Sequence, residues 1–225
     1  MFEHGRSGAD PGLIADSSPT TLGGIASAPR PDPRRRLLGA MIETVALRGY
    51  DRTTVSRVLS KADVQEAVFS EHFQDKHDCF MQAIDELIGR GERTALELFR
   101  PSTPWPERVK LALESLLAAL ARDPDAADVL FVEMLGAGPA ACERQREALA
   151  LFTSLLEEGR SLASESEYLP QQTSEAIVGG IASIVHRRVL QGNVAELPYL
   201  HADLTYFALL PYLDHERALG IAGLT

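Results

Sequence analysis

Eight basic residues fall between Arg34 and Lys76, against six acids, in a chain whose formal net charge is −10. That stretch is mildly positive and the remainder strongly acidic. Such an asymmetry suits an anion-facing module joined to an acidic body. The total charge taken alone argues against nucleic acid, whose affinity comes largely from phosphate neutralisation. Its distribution argues the other way. Arg34-Arg35-Arg36 could reach a minor groove, or form no more than a solvated helix start. Arg57, one turn into a second helix, can face a phosphate backbone. Catalytic chemistry finds little to work with. There is no phosphate-binding glycine loop, no paired-histidine helix motif and no Gly-x-Ser-x-Gly elbow. No enzymatic activity, cofactor or metal site is therefore expected. Cys79 and Cys142 are the two cysteines, too few for a disulfide framework, which points to a reducing cytoplasm. Glu133 lies within Phe131-Val132-Glu133-Met134-Leu135. It is a carboxylate among apolar neighbours and needs a partner or solvent.

The elements that position these residues read as helices throughout. Residues 1–33 are rich in Gly, Pro, Ser and Ala, without periodicity, and are expected to be a disordered tail. Asp10, Pro11, Asp16 and Pro19 interrupt any signal-peptide core there. No run reaches the roughly 18 apolar residues of a membrane span. Leu37, Leu38, Met41, Ile42 and Val45 recur at helical spacing, and Gly49 stops that helix. Thr53 or Thr54 can cap a second helix bearing Val55, Val58 and Leu59. After a break at Asp63-Val64, a third short helix carries Val68, Phe69 and Phe73. Asp75 caps a long fourth helix marked by Phe80, Ile84, Leu87, Ile88, Ala95 and Phe99. The proline-rich stretch 101–106 is a boundary. Further helices are expected over about 106–122, 124–136, 139–163, 171–191 and 197–213. No segment alternates as a strand would, so the fold class is all-α.

Three short helices joined by tight turns within about 45 residues describe a helix-turn-helix. The residues add detail. Gly49-Tyr50-x-x-Thr53-Thr54-Val55, then Ala62-x-Val64, then Phe69-x-x-His72-Phe73-x-Asp75-Lys76, resembles the N-terminal domain of the tetracycline-repressor (TetR) family. Looser likenesses follow at Phe131–Pro139, Leu155–Arg160, Val178–Gly180 and Leu209–Leu213. The resemblance implies a dimer, a recognition helix in the major groove and a ligand cavity. It implies phosphate contacts at Thr53 or Thr54 and at His72 and Lys76. Gln65, Glu66, Ala67, Ser70 and Glu71 then form the exposed recognition face. That face departs from the family pattern, with Asp63 for the usual turn glycine, Gln65 for the capping hydroxyl, Val68 for a threonine and Ser70 for an aromatic. It holds no Lys or Arg, and Glu66 and Glu71 repel phosphates, although glutamate can accept from cytosine N4.

The expected organisation is a tail over 1–33, a helix-turn-helix domain over 34–80, and a helical ligand-sensing and dimerisation domain over 81–225, joined by the long helix. Trp105, Leu113, Leu117, Phe131, Glu133, Met134 and Phe152 are the candidate cavity liners. A cavity of that composition suits a small, mostly hydrophobic effector. Ala176, Gly180 and Ile184, with Leu204 and Phe207 on the last helix, are the candidate dimer contacts. The expected function is a regulator, acting as a repressor, that releases its double-stranded DNA operator when the effector binds. The competing expectation is a dimer of the same fold with weakened DNA binding, acting as an interaction module.

Overall fold

The computed structural model describes residues 32–98, 102–163 and 169–224. Nearly all of the expected tail, together with Phe99 and residues 164–168, lies outside the described residues. Helix α1 spans Pro33–Arg48. Proline at its first position loses no needed hydrogen bond, and Arg48 sits favourably against the carbonyl end. Gly49 ends it with φ +86°, a conformation that glycine adopts without penalty. Helix α2 (Val55–Ala62) ends at Asp63 in the left-handed region. Aspartate tolerates that region better than most residues, so it fills the place where the turn usually takes glycine. Arg36 reaches across from α1 and its Nη1 donates to the carbonyls of Ala62 (2.9 Å) and Asp63 (3.0 Å), which the helix end leaves unpaired.

Helix α3 is Glu66–His72 and α4 is Lys76–Leu98. Asp75 Oδ1 accepts from the Asp78 amide at 2.8 Å, the cap expected there. Helix α5 runs Trp105–Arg122. Helix α6 (Pro124–Asp128), a π-helical turn (Val129–Glu133) and α7 (Met134–Gly136) follow without a break. Next come α8 (Pro139–Glu157), a 3-10 turn (Glu158–Leu162), α9 (Thr173–Leu190), a second 3-10 turn (Val194–Leu200), α10 (His201–Leu209) and α11 (His215–Ala222). Among the described residues every regular element is helical, and none is long and apolar enough to cross a membrane.

The expected helix over 197–213 is corrected in two ways. Pro198 has no amide to donate, and the chain approaches α10 as a 3-10 turn. Beyond Leu213 the chain continues into α11, capped by Asp214 Oδ1 accepting from the Arg217 amide at 2.9 Å.

The described residues pack as one compact unit, and α4 joins the helix-turn-helix to the rest of it. Two apolar cores fill it. The first joins Leu37, Met41, Val45, Val58, Phe69, Phe73 and Phe80 to Ala126, Val129, Met134, Ala137 and Ala141. The second gathers Trp105, Leu117, Leu197, Leu209 and Tyr212 with the buried side of α9. Each fully buried side chain of this size contributes about 1.5–3 kcal/mol. Arg144 ties α8 to α4 through Asp85 (2.8 Å) and Glu92 (3.1 Å).

Cys79 is fully buried, and that burial pushes its thiol up to about 12, while Cys142 is exposed. The thiolate is the reactive form. A disulfide-exchange reagent at neutral pH is therefore expected to titrate one thiol in the native protein and two in denaturant. Prompt reaction of Cys79 in the native state would contradict this packing.

Candidate DNA-binding surface and ligand cavity

The recognition face is assembled as the sequence suggests. Gln65 precedes α3 as its cap residue, and Gln65, Glu66, Ala67, Ser70 and Glu71 are all exposed. The expected phosphate contacts fare differently. Thr53 is buried, and its hydroxyl donates to the Gly49 carbonyl at 2.9 Å. It braces the α1–α2 turn and does not face solvent. Thr54 is exposed at the start of α2. Arg57 is exposed, with its guanidinium donating to the Arg52 carbonyl. His72 is half-buried, with its ring at a steep angle to that of Phe73.

Lys76 is committed within the fold. Its Nζ donates to the Tyr50 carbonyl at 3.0 Å and lies 4.0 Å from the centre of the Tyr50 ring, a cation–π arrangement. Arg34 donates to Gln82 Oε1 at 2.7 Å and Arg36 closes the α2–α3 turn. Of the three arginines, Arg35 is the exposed one, so the minor-groove alternative loses two of its three cations.

Between the two cores lies a cavity of about 620 Å³, walled by α4, α5, α6, the π turn, α8 and α9. Its size falls within the range of small-molecule sites, roughly 300–1,000 Å³. Leu113, Phe131, Met134 and Phe152 line it as expected. Trp105, Leu117 and Glu133 do not. Trp105 turns its indole toward Tyr212, with ring centres 5.2 Å apart, and its Nε1 donates to the Leu155 carbonyl at 3.0 Å. Leu117 is fully buried in the second core. Glu133 points to the DNA-binding domain, where its Oε2 accepts from the Tyr50 amide at 2.7 Å. Its burial problem is solved by a backbone donor 83 residues away.

The liners expected from the sequence all lie between Trp105 and Phe152, and α9 adds Val178, Ile181, Val185 and His186 to them. The helical spacing of Ile177, Ile181 and Val185, all buried, marks this inward side of α9 in the sequence. The polar groups reaching the cavity include Gln145 of α8 and His186 of α9. Both also hold the π turn. Gln145 Nε2 donates to the Leu130 carbonyl at 3.2 Å, and His186 Nδ1 pairs with the Phe131 carbonyl. At the head of that turn, burial and then the charges of Glu133 and Asp125 raise the Asp128 carboxyl above the usual range.

The proposed dimer residues divide. Ala176 and Phe207 are exposed, and Gly180 lies under the Phe207 ring, where an added Cβ would sit 3.5 Å from it. Leu204 is buried within the second core and Ile184 is half-buried against it. Leu204 and Ala208, one turn apart, face inward, which turns Phe207 and Leu210 outward. Tyr199 and Leu190 extend this exposed apolar set at 82% and 60% exposure.

Residues 37–83 match the family described as bacterial regulatory proteins, tetR family. Over this helix-turn-helix the chain is similar to the TetR family. It is 27% identical over 187 residues to an uncharacterized HTH-type transcriptional regulator, YdgC of Bacillus subtilis (strain 168), covering 80% of this chain and 94% of that protein. The TetR-family architecture recurs in solved structures. The fatty acid degradation regulator FadR of Bacillus halodurans superposes with a TM-score of 0.69 at 21% identity, over 82% of this chain and 96% of that one. FadR of Bacillus subtilis, in complex with stearoyl-CoA, gives 0.67 at 19% identity, over 79% and 98%. These likenesses establish the fold, and residues 37–83 are similar to the DNA-binding domain of bacterial regulatory proteins.

Proposed function

We propose that this regulator works as a dimeric repressor released from its operator by a small, mostly apolar molecule. The observation that carries the reading is the cavity, which is walled chiefly by aliphatic and aromatic side chains and lies in the same packed unit as the helix-turn-helix. Burying an unpartnered charge there is costly, so hydrocarbon is favoured over a multiply charged anion for the part of the ligand held inside. The FadR structure with stearoyl-CoA supports a long apolar chain as one suitable form. The exposed aromatic and aliphatic set on α9 and α10 supports a second copy as the covering partner. A dimer sets its two recognition helices roughly 34–36 Å apart on DNA, and ligand releases it by favouring another spacing.

The acidic recognition face favours one second reading, a dimer whose DNA binding has weakened in favour of partner interaction. Gel retardation with DNA flanking the gene, run across a salt series with and without long-chain apolar compounds, separates the two. The repressor reading expects retardation at submicromolar protein in low salt, lost on adding the compound. An absence of site-specific retardation at tens of micromolar protein would select the second reading.

A further inference from the structure

A π turn winds its backbone one residue wider than an α-helix, and a carbonyl at the bulge loses its helical donor. Here the carbonyls of Leu130 and Phe131 receive donors from other helices, through Gln145 and His186. Both side chains also line the cavity, as do Leu130, Phe131, Met134 and Leu135 of the same rod. The last residue of the turn, Glu133, grips the DNA-binding domain at the Tyr50 amide. The Glu133 carboxylate also lies close to Gly49, where an added Cβ would sit 3.4 Å from Oε2. One five-residue element therefore touches the cavity on one side and the α1–α2 turn on the other.

We propose that Gln145 and His186 are the residues through which the contents of the cavity are sensed, with the Val129–Glu133 turn as the element they bias and Glu133 as its hold on the helix-turn-helix. This rests on the reading of the cavity as the effector site. While Gln145 and His186 donate to the turn, its wide carbonyls are satisfied and the π register persists. A ligand group that draws either side chain away leaves that carbonyl without its donor, which is unfavourable away from water. Tightening to α register restores a donor. It also turns the following residues by roughly 100°, which lifts Glu133 from the Tyr50 amide. The effector class this selects is a mainly hydrocarbon molecule bearing a hydroxyl, carbonyl or carboxylate. A bare hydrocarbon fills the space without disturbing either donor.

Hydrogen exchange at the Tyr50 amide, measured on the full chain without DNA, tests this, because exchange reports local opening. Glu133→Ala is expected to speed that exchange at least about tenfold, and Glu133→Gln, which keeps an acceptor oxygen, to stay within about threefold of the parent. Gln145→Leu and His186→Leu are expected to speed it about tenfold although neither touches residue 50. On the unaltered protein, 1-decanol is expected to speed it and decane to bind without doing so. Parental Tyr50 exchange in both Leu variants, or with decanol bound, would overturn the proposal. Should neither probe bind, the effector reading of the cavity fails, and the two Leu variants still decide the relay.

Discussion

Gly159→Ala is expected to lower the unfolding free energy by about 3 kcal/mol, the upper end of ordinary overpacking costs. Gly159 lies buried in the 3-10 turn after α8. A Cβ built there falls 2.3 Å from Cη2 and Cζ2 of Trp105 and 2.7 Å from Cζ3. The indole has little freedom to yield. Its Nε1 is held by the Leu155 carbonyl and its ring packs against Tyr212 at a steep angle of 70°. Tyr212 in turn shares a hydrogen bond with buried Ser174 at 2.7 Å. Relief must come either from moving the ring and breaking its hydrogen bond or from displacing the turn. For a chain of this size, 3 kcal/mol corresponds to a fall of about 10 °C in Tm. Trp105 is the sole tryptophan, so a red shift of the native emission should accompany the fall. A variant that melts within about 2 °C of the parent with unchanged emission would show that the glycine is not required by the indole.

The second large effect is expected on DNA. The recognition face holds Glu66 and Glu71 and no cation, and Lys76 and Arg36 are engaged inside the fold. Two unit charges about 7 Å apart in water interact by about 0.6 kcal/mol. A dimer presenting four such acids to phosphates therefore forgoes roughly 2 kcal/mol, or about thirtyfold in affinity. Glu66→Gln/Glu71→Gln is expected to recover most of that on a duplex lacking the operator at low salt. The gain should shrink as salt rises, because exposed charges are screened beyond about 10 Å at 0.1 M. The ratio of specific to non-specific binding should fall, since a glutamate that accepts from cytosine N4 discriminates bases while repelling backbones. Fluorescence anisotropy with the two duplexes across a salt series measures both. Unchanged affinity at low salt would mean that this face does not meet DNA.

The local part of this fold was legible in the chain. Leu37 to Val45, Val58 and Phe69 repeat at helical spacing, and Gly49, Asp63 and Asp75 mark ends through backbone preferences that act within a few residues. The π turn was not legible, since its stability depends on Gln145 and His186 reaching it from helices distant in sequence. The same reason hid the destination of Glu133. An acid in an apolar run announces that a partner is needed, but no pattern names the Tyr50 amide. The role of Thr53 is not written in its position, because a threonine before a helix suits both a phosphate and a neighbouring carbonyl, and only the closed turn decides between them. Leu204 and Phe207 differ by three positions on one short helix, and periodicity alone does not say which faces its own subunit.

The first core has a consequence for how this protein can be recombined. Ala126, Val129, Met134, Ala137 and Ala141 pack with the side chains of α1 to α4, so the helix-turn-helix head is completed by residues far downstream of it. Cutting the chain after α4 would strip that head of part of its interior and bare the apolar surface of Leu37, Met41 and Val45. A chimera that transplants the head onto a foreign body must carry the 126–141 stretch with it, or redesign both sides of the seam together. On the repressor reading, new operator specificities are therefore more accessible by changing the seven residues of α3 in place than by exchanging heads between relatives.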